Sequence, residues 1–123
     1  MNFRGLLSAA LALMAASSGT IACAADPARD YPSRPIRLIM PNAPGSANDT
    51  MGRIVAVRLG EALGQQVVVD NRAGAGGVVG TEIGKSAIPD GYTLISPSTA
   101  ATSIAPHLHR KLPYDPVNDF EFI

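Results

Sequence analysis

Three loops rich in Gly, Ser, Thr and Asn carry the residue types of this 123-residue sequence that could bind a ligand. Residues 42–49 stand between an apolar run at Ile36–Met40 and a helical pattern, and residues 71–77 and 97–102 follow two further apolar runs. The first N–H groups of a helix have no internal partner, so a glycine loop that leads from a strand into a helix N-terminus forms an anion site. The pattern therefore predicts a binding cleft walled by these loops.

Four polar side chains in these loops have two possible roles each. Asp49 could contact a ligand or act as the N-cap of the helix that follows, and the two roles are compatible. Ser98, Thr99 and Thr102 could donate hydrogen bonds to a bound carboxylate or could cap the next helix. The residue types leave both roles open at each position.

The spacing of residues does not support other kinds of site. Residues 74–80 begin like a dinucleotide fingerprint, but Val79 occupies the third glycine position and no acidic ribose partner follows the next strand. His107 and His109 are two positions apart, so they point to different sides of a helix, and a solvated helix end is favoured over a metal site. Neither a Ser/His/Asp arrangement, nor paired carboxylates, nor a P-loop is present. These residues therefore indicate neither a metal site nor a catalytic centre within this sequence.

The charge balance narrows the class of partner. The 10 Lys and Arg residues balance the 10 Asp and Glu residues, so the formal net charge is zero. A nucleic-acid-binding domain usually carries a basic excess, which this chain lacks. We therefore expect no nucleic-acid partner.

Residues 1–24 are typical of a signal peptide. Arg4 supplies a positive start, residues 6–16 are an apolar run too short to span a bilayer, and cleavage is expected after Ala24 at an A-x-A site. Cys23, the only cysteine, could instead be lipidated. Thr20 stands where lipoprotein signals usually carry an aliphatic residue, so simple cleavage is favoured. The mature chain would then have no cysteine and would need no disulfide.

Apolar periodicity predicts three strands that alternate with helices. The strands are expected at Ile36–Met40 and at residues 66–70 and 92–96, and the helices at residues 49–63, 78–87 and 102–109. Strands joined by short helical crossovers form a parallel sheet with flanking helices, which is an α/β fold. Ligands of such folds bind beyond the carboxyl ends of the strands, where the three loops would converge.

Two further details follow from the apolar residues. The first helix is predicted to bury a stripe formed by Met51, Val55, Leu59 and Ala62 or Leu63. Phe120, Phe122 and Ile123 look like the opening of a fourth buried strand that no turn or helix follows. We therefore expect the sequence to be the N-terminal piece of a longer protein.

Four motifs stand in order along the chain, YPSRPIRLIMPNAPGSAND, GQQVVVDNRAGAGGVVGTE, PDGYTLISPST and PHLHRKLPYDPVNDF. Together they resemble the N-terminal part of the Bug proteins, the periplasmic substrate-binding receptors of tripartite tricarboxylate transporters, and the match runs from Tyr31 to the last residue. The resemblance implies a Venus-flytrap protein in which two α/β lobes hold a small organic carboxylate, with no metal or organic cofactor. Residues 25–123 would form the N-terminal part of the first lobe of a monomeric periplasmic receptor. That receptor would deliver its ligand to the membrane subunits of the transporter.

The resemblance also implies which positions face the ligand. The family's loop after the first strand corresponds to residues 41–49 and wraps the ligand with backbone N–H groups, and a second ligand-facing loop corresponds to residues 96–102. The implied positions are Asn42, Ala43, Gly45, Ser46, Asn48, Asp49, Ser98, Thr99 and Thr102. Family loops often carry a bulky residue where Asn42 stands and a second glycine where Ser46 stands, so the specificity of a usual member does not transfer.

Two other functions are compatible with the residues. An exported α/β enzyme would need a nucleophile or an acid–base pair from residues that this sequence does not show, and it would turn its substrate over. A truncated gene product without binding function would aggregate or stay partly unfolded through the apolar end at residues 120–123. We take the carboxylate receptor as the leading hypothesis.

Overall fold

The fold was obtained as a computed structural model that describes residues 30–123. The predicted signal peptide, its cleavage site at Ala24 and the alternative lipidation site at Cys23 lie outside the described residues. Within residues 30–123, no helix combines the length and apolar character that a bilayer crossing needs.

A three-stranded parallel sheet forms the centre of the fold. Its strands are β1 (Ile36–Met40), β2 (Val67–Asn71) and β3 (Thr93–Ile95), in the order β2-β1-β3. Both neighbours pair with β1 in parallel register, with Leu38 opposite Val69 and Leu94. The central strand is the most buried, because helices cover both of its faces. The predicted α/β class and the parallel sheet are therefore confirmed.

Helices cover the two faces of the sheet unequally. The 17-residue α1 (Ala47–Leu63) packs on β1 and β2, where Ala56 joins Leu38 and Met40 in the core. The shorter α2 (Val78–Lys85) follows a single 3₁₀ turn and packs on β3 and β1, with Gly84 against Ile95. Side chains of adjacent strand residues point to opposite faces, so Leu38 meets α1 while Ile39 lies on the α2 face. After β3, a π-helical turn (Ala100–Ile104) runs directly into α3 (Ala105–Leu108).

The helix α1 begins two residues earlier than predicted. Its N-cap is Ser46, which has extended backbone angles and whose Oγ accepts a hydrogen bond of 3.2 Å from the N–H of Asp49. Asp49 is therefore the third helical residue, so of the two roles that the sequence left open for it the N-cap is excluded. The end of the helix is as predicted, because Gly64 takes the left-handed conformation with φ of 67°.

The buried stripe of α1 is displaced by one position from the predicted one. The residues buried are Asp49, Gly52 and Ala56, whereas the side chains of Met51 and Val55 are 61% and 52% exposed. The reason is close packing, since a Cβ at Gly52 would lie only 2.7 Å from Met40 Sδ. A helix can approach a sheet most closely through its smallest residues, and the larger apolar side chains then lie to the side.

The predicted fourth strand is not formed by residues 120–123. Phe120 instead packs edge-to-face on Tyr114, with ring centroids 6.2 Å apart. A strand needs a neighbouring backbone to complete its hydrogen bonds, and β3 pairs only with β1 among the described residues.

Candidate functional site

The three loops meet at the carboxyl edge of the sheet. Asn71 Nδ2 donates to the carbonyl of Asn42 at 3.2 Å, which joins the second loop to the first. Ser98 Oγ donates to the carbonyl of Gly76 at 3.3 Å, which joins the third loop to the second. Glycine makes this contact possible, because a Cβ at Gly77 would lie 2.6 Å from Ser98 Oγ. The predicted convergence of the loops is therefore present in the fold.

The carboxylate of Asp49 is buried and bound by protein donors. Its side chain is almost fully buried, at 3% exposed. One carboxylate oxygen accepts hydrogen bonds from the N–H of Gly45 at 2.8 Å and from Arg53 Nε at 3.0 Å, while the other accepts from Asn71 Nδ2 at 2.8 Å. The bond from Arg53, followed by those from Gly45 and Asn71, lowers the pKa of Asp49 to about 2 and outweighs the effect of burial. Asp49 is therefore ionised near neutral pH and holds the loop in place.

The backbone N–H groups of the first loop divide into two sets. Those of Gly45 and Ser46 are occupied, because they donate to Asp49 and to the carbonyl of Ala43 at 2.8 Å and 3.2 Å. That of Asp49 is also occupied, by Ser46 Oγ, whereas those of Asn42, Ala43, Ala47 and Asn48 have no acceptor among residues 30–123. Ala47 and Asn48 are the first two residues of α1, so these donors stand at the positive end of its helix dipole. The arrangement can accept an anion.

Ala47 and Gly45 thus differ from their sequence-based assignments. Ala47 was not among the expected ligand positions, although its N–H is one of the unpaired donors. The signal that identifies it is the N-cap, since knowing that Ser46 caps the helix places Ala47 at its first residue. Gly45 was expected to offer its N–H to a ligand, but Asp49 holds that group at 2.8 Å.

Local hydrogen bonds occupy two of the three candidates in the third loop, a capping bond at Ser98 and a back-bond to a carbonyl at Thr102. Ser98 is buried, and its Oγ accepts from the N–H of Ala101 at 3.2 Å. The hydroxyl of Thr102 donates back to the carbonyl of Ser98 at 3.2 Å. Thr99 is exposed and makes no side-chain hydrogen bond within the described part of the chain. Of the three, Thr99 is the most exposed.

Accessible polar side chains from two loops line one groove. Asn48 and Thr99 stand at a groove of about 480 Å³ that continues between α1 and β3 past Met51 and Leu94. The half-buried Asn42 lies beside them, with Asn48 Nδ2 3.4 Å from Asn42 Oδ1. These side chains are uncharged donors and acceptors, which can orient a small polar ligand against the free N–H groups.

Two residues that the sequence reasoning did not select support the first loop. Asn71 reaches both Asn42 and Asp49, and Arg53 Nη2 donates to Asn71 Oδ1 at 3.0 Å. The spacing of four residues between Asp49 and Arg53 on a helix could have indicated the ion pair. No local pattern could have indicated the role of Asn71, because its partners lie 22 and 29 positions away.

His107 and His109 are exposed at the end of α3. Residues 30–123 contain no group of three His, Cys, Asp or Glu side chains that could hold a metal ion.

Comparison with known proteins gives a consistent result. A family model described as tripartite tricarboxylate transporter family receptor matches residues 51–123. Protein BugT of Bordetella pertussis is 42% identical over 120 residues, which are 97% of this chain and 36% of BugT. The chain thus spans about a third of the length of that relative.

Two solved structures share the fold described above. The periplasmic binding protein BugD is 38% identical with a TM-score of 0.68, over 74% of this chain and 30% of that one. MatC from Rhodopseudomonas palustris, solved with bound malate, is 34% identical with a TM-score of 0.70, over 73% of this chain and 31% of that one.

Proposed function

This chain belongs to the tripartite tricarboxylate transporter receptor family, and from that premise we propose that it binds a small organic carboxylate at the edge formed by its three loops. It would do so as part of a two-lobed periplasmic receptor that delivers the ligand to the membrane subunits of the transporter. The family consists of receptors rather than enzymes. We further propose that residues 1–24 are the signal peptide of this receptor, and that residues 25–123 belong to its first lobe.

The observation that carries the proposal is the set of unpaired N–H groups in the first loop. Ala43, Ala47 and Asn48 offer backbone donors within one short segment, next to the side chains of Asn42 and Thr99. A carboxylate accepts several such hydrogen bonds at once, and charge-assisted bonds are about twice as strong as neutral ones. The helix dipole adds about 0.3–1 kcal/mol at an exposed site and up to about 2 kcal/mol in a partly buried one.

The second lobe is needed to complete the site. The proposed ligand would contact this edge on one side only, so half of it would stay hydrated until another lobe closed over it. Binding to residues 25–123 alone is therefore expected to be weak or undetectable. The complete receptor should bind more tightly, because closure excludes water and strengthens each hydrogen bond.

A proline substitution tests the proposed contact directly. Ala47→Pro removes one free N–H, and proline is well tolerated at the first residue of a helix. The preceding residue must be extended, and Ser46 already has φ of −70° and ψ of 162°. In the complete receptor, Ala47→Pro should weaken malate binding by about tenfold or more, because a hydrogen bond to a charged group contributes about 1.5–3 kcal/mol. Isothermal titration calorimetry measures the affinity.

The matched control is Ala47→Ser, which keeps the N–H at an exposed position and should bind malate as the unchanged receptor does. Malate recovered chemically intact from the complex would distinguish a receptor from an enzyme. If Ala47→Pro bound malate with unchanged affinity, the helix N-terminus would not be the anion contact.

A further inference from the structure

Asn71 connects the end of β2 to the first loop and to α1, and each of its side-chain polar groups is used. Its Nδ2 donates to the carbonyl of Asn42 at 3.2 Å and to Asp49 Oδ1 at 2.8 Å. Its Oδ1 accepts from Arg53 Nη2 at 3.0 Å. An amide group has two N–H donors, so both donors of Asn71 are used on the first loop.

The contact with Asn42 determines the direction of a peptide group. A trans peptide is planar, and its C=O and N–H point in opposite directions. Because Asn71 holds the carbonyl of Asn42 toward β2, the N–H of Ala43 in the same peptide must point away from β2. That N–H is one of the unpaired donors in the loop. The orientation of this donor is therefore tied to the side chain of Asn71, whose own polar groups are all bound to protein partners.

Asp49 provides a different kind of support. Its carboxylate would keep the N–H of Gly45 and Arg53 Nε as partners if Asn71 were changed, at 2.8 Å and 3.0 Å. No other side chain among residues 30–123 donates to the carbonyl of Asn42. The bonds from Gly45 and Arg53 end on Asp49 Oδ2, so Asn71 is the sole donor among residues 30–123 both to Asp49 Oδ1 and to the carbonyl of Asn42.

We propose that Asn71 is a positioning residue that orients the peptide between Asn42 and Ala43, and thereby determines how tightly the first loop binds a carboxylate. The proposal rests on the function proposed above, since it assumes that this loop faces the ligand. On this proposal, Asn71 at the end of β2 affects the affinity for the carboxylate separately from its effect on the stability of the fold.

A pair of variants separates these two effects in the complete receptor. Asn71→Asp is nearly isosteric but has no N–H donor, so it opposes Asp49 with a second carboxylate and releases the carbonyl of Asn42. The double variant Asp49→Asn with Asn71→Asp restores a donor–acceptor pair in the reverse direction and keeps an acceptor for Arg53. It leaves the carbonyl of Asn42 facing a carboxylate. The double variant therefore lacks the contact with Asn42 and moves the negative charge beside Arg53 from position 49 to position 71, with the net charge unchanged.

The matched control is Asn118→Asp. Asn118 Nδ2 also donates to a carboxylate, Asp115 Oδ2, at 2.8 Å, in a segment that Lys85 ties to the far end of α2. This substitution places the same charge beside another aspartate outside the loop edge. The control should bind malate within twofold of the unchanged receptor.

Malate titration and urea unfolding of these variants test the proposal. Asn71→Asp should lower both the unfolding midpoint and the malate affinity, the latter by tenfold or more. The double variant should recover most of the midpoint while its malate affinity stays at least tenfold reduced. Malate affinity within twofold of the unchanged receptor, in either variant, would overturn the proposal.

A measurement without ligand tests the positioning role of Asn71 independently of the proposed function. Residual dipolar couplings of the Ala43 N–H report its direction, and the double variant should change them while the control does not. If the unchanged receptor failed to bind malate, the proposed ligand would be wrong, and these couplings would still decide whether Asn71 orients the peptide. An unchanged Ala43 coupling in the double variant would overturn the positioning role.

Discussion

Substitution of Gly80 by alanine tests how tightly α2 packs against the carboxyl edge of the sheet, where the three loops meet. A Cβ at Gly80 would lie 2.6 Å from the carbonyl oxygen of Arg72, 2.7 Å from Pro41 Cβ and 2.8 Å from Pro41 Cα. These atoms belong to the backbone or to a proline ring at the ends of β2 and β1, so no side-chain rotation can move them away. The helix itself must retreat by several tenths of an ångström.

Helix propensity and overpacking have opposite effects on the stability of the Gly80→Ala variant. Alanine is favoured over glycine within a helix by about 1 kcal/mol. Overpacking a tight contact costs about 1–3 kcal/mol, and three immobile partners place Gly80→Ala at the upper end. The net loss of unfolding free energy should therefore be about 1–2 kcal/mol. With a urea dependence of about 1 kcal/mol per molar, the midpoint should fall by about 1–2 M.

The control for this experiment lies one turn along the same helix. A Cβ at Gly84 would also meet a close atom, but that atom is Ile95 Cδ1 at 2.8 Å, the end of a flexible side chain. Gly84→Ala should leave the urea midpoint unchanged or raise it slightly, because the gain in helix propensity is the same. Equal midpoint shifts for the two variants, or a Gly80→Ala variant as stable as the unchanged protein, would refute the argument.

Three further predictions follow from the site and its surroundings. Asp49 has a pKa of about 2 in the fold against an ordinary 3.8, so its contribution to stability is present above pH 4 and is lost as the pH falls from about 4 to about 2. In the Asp49→Asn variant, the free energy of unfolding should therefore depend less on pH in this range. An unaltered pH dependence would contradict the lowered pKa of Asp49. Tyr114→Phe removes a buried hydroxyl that donates to Ala101 O at 2.8 Å and should lower the unfolding free energy by about 1 kcal/mol in urea titrations. An unchanged unfolding free energy would show that this hydrogen bond does not stabilise the fold. Asn42→Phe in the complete receptor should change the preference between malate and aromatic carboxylates without loss of the fold, and an unchanged calorimetric profile would remove Asn42 from the site.

The positions of strands and turns could be predicted because their signals are local. β1 was predicted with the bounds that the structure shows, since five residues including four apolar ones stand between two prolines. The end of α1 was predicted from Gly64, because glycine adopts the left-handed conformation that stops a helix at little cost. The parallel arrangement followed from the alternation of strands and helices.

The face on which α1 packs could not be predicted from apolar character alone. Met51 and Val55 are more hydrophobic than Gly52, yet it is Gly52 that contacts the sheet. The hydrophobic pattern measures the tendency to leave water, whereas close approach between two backbones depends on side-chain volume at both surfaces. The position of the opposing Met40 is known only from the tertiary structure.

The sequence by itself determined the fold class, the three converging loops and the family resemblance, because composition, periodicity and motif order are properties of the chain read in order. Only the tertiary structure decided which groups in those loops remain free for a ligand. Asp49 is turned inward, where it occupies the N–H of Gly45, and Asn71 reaches across from β2 to bind Asp49 and Asn42, which lie 22 and 29 positions away. Hydrogen bonds between residues so far apart depend on distances of a few ångströms that no local pattern encodes.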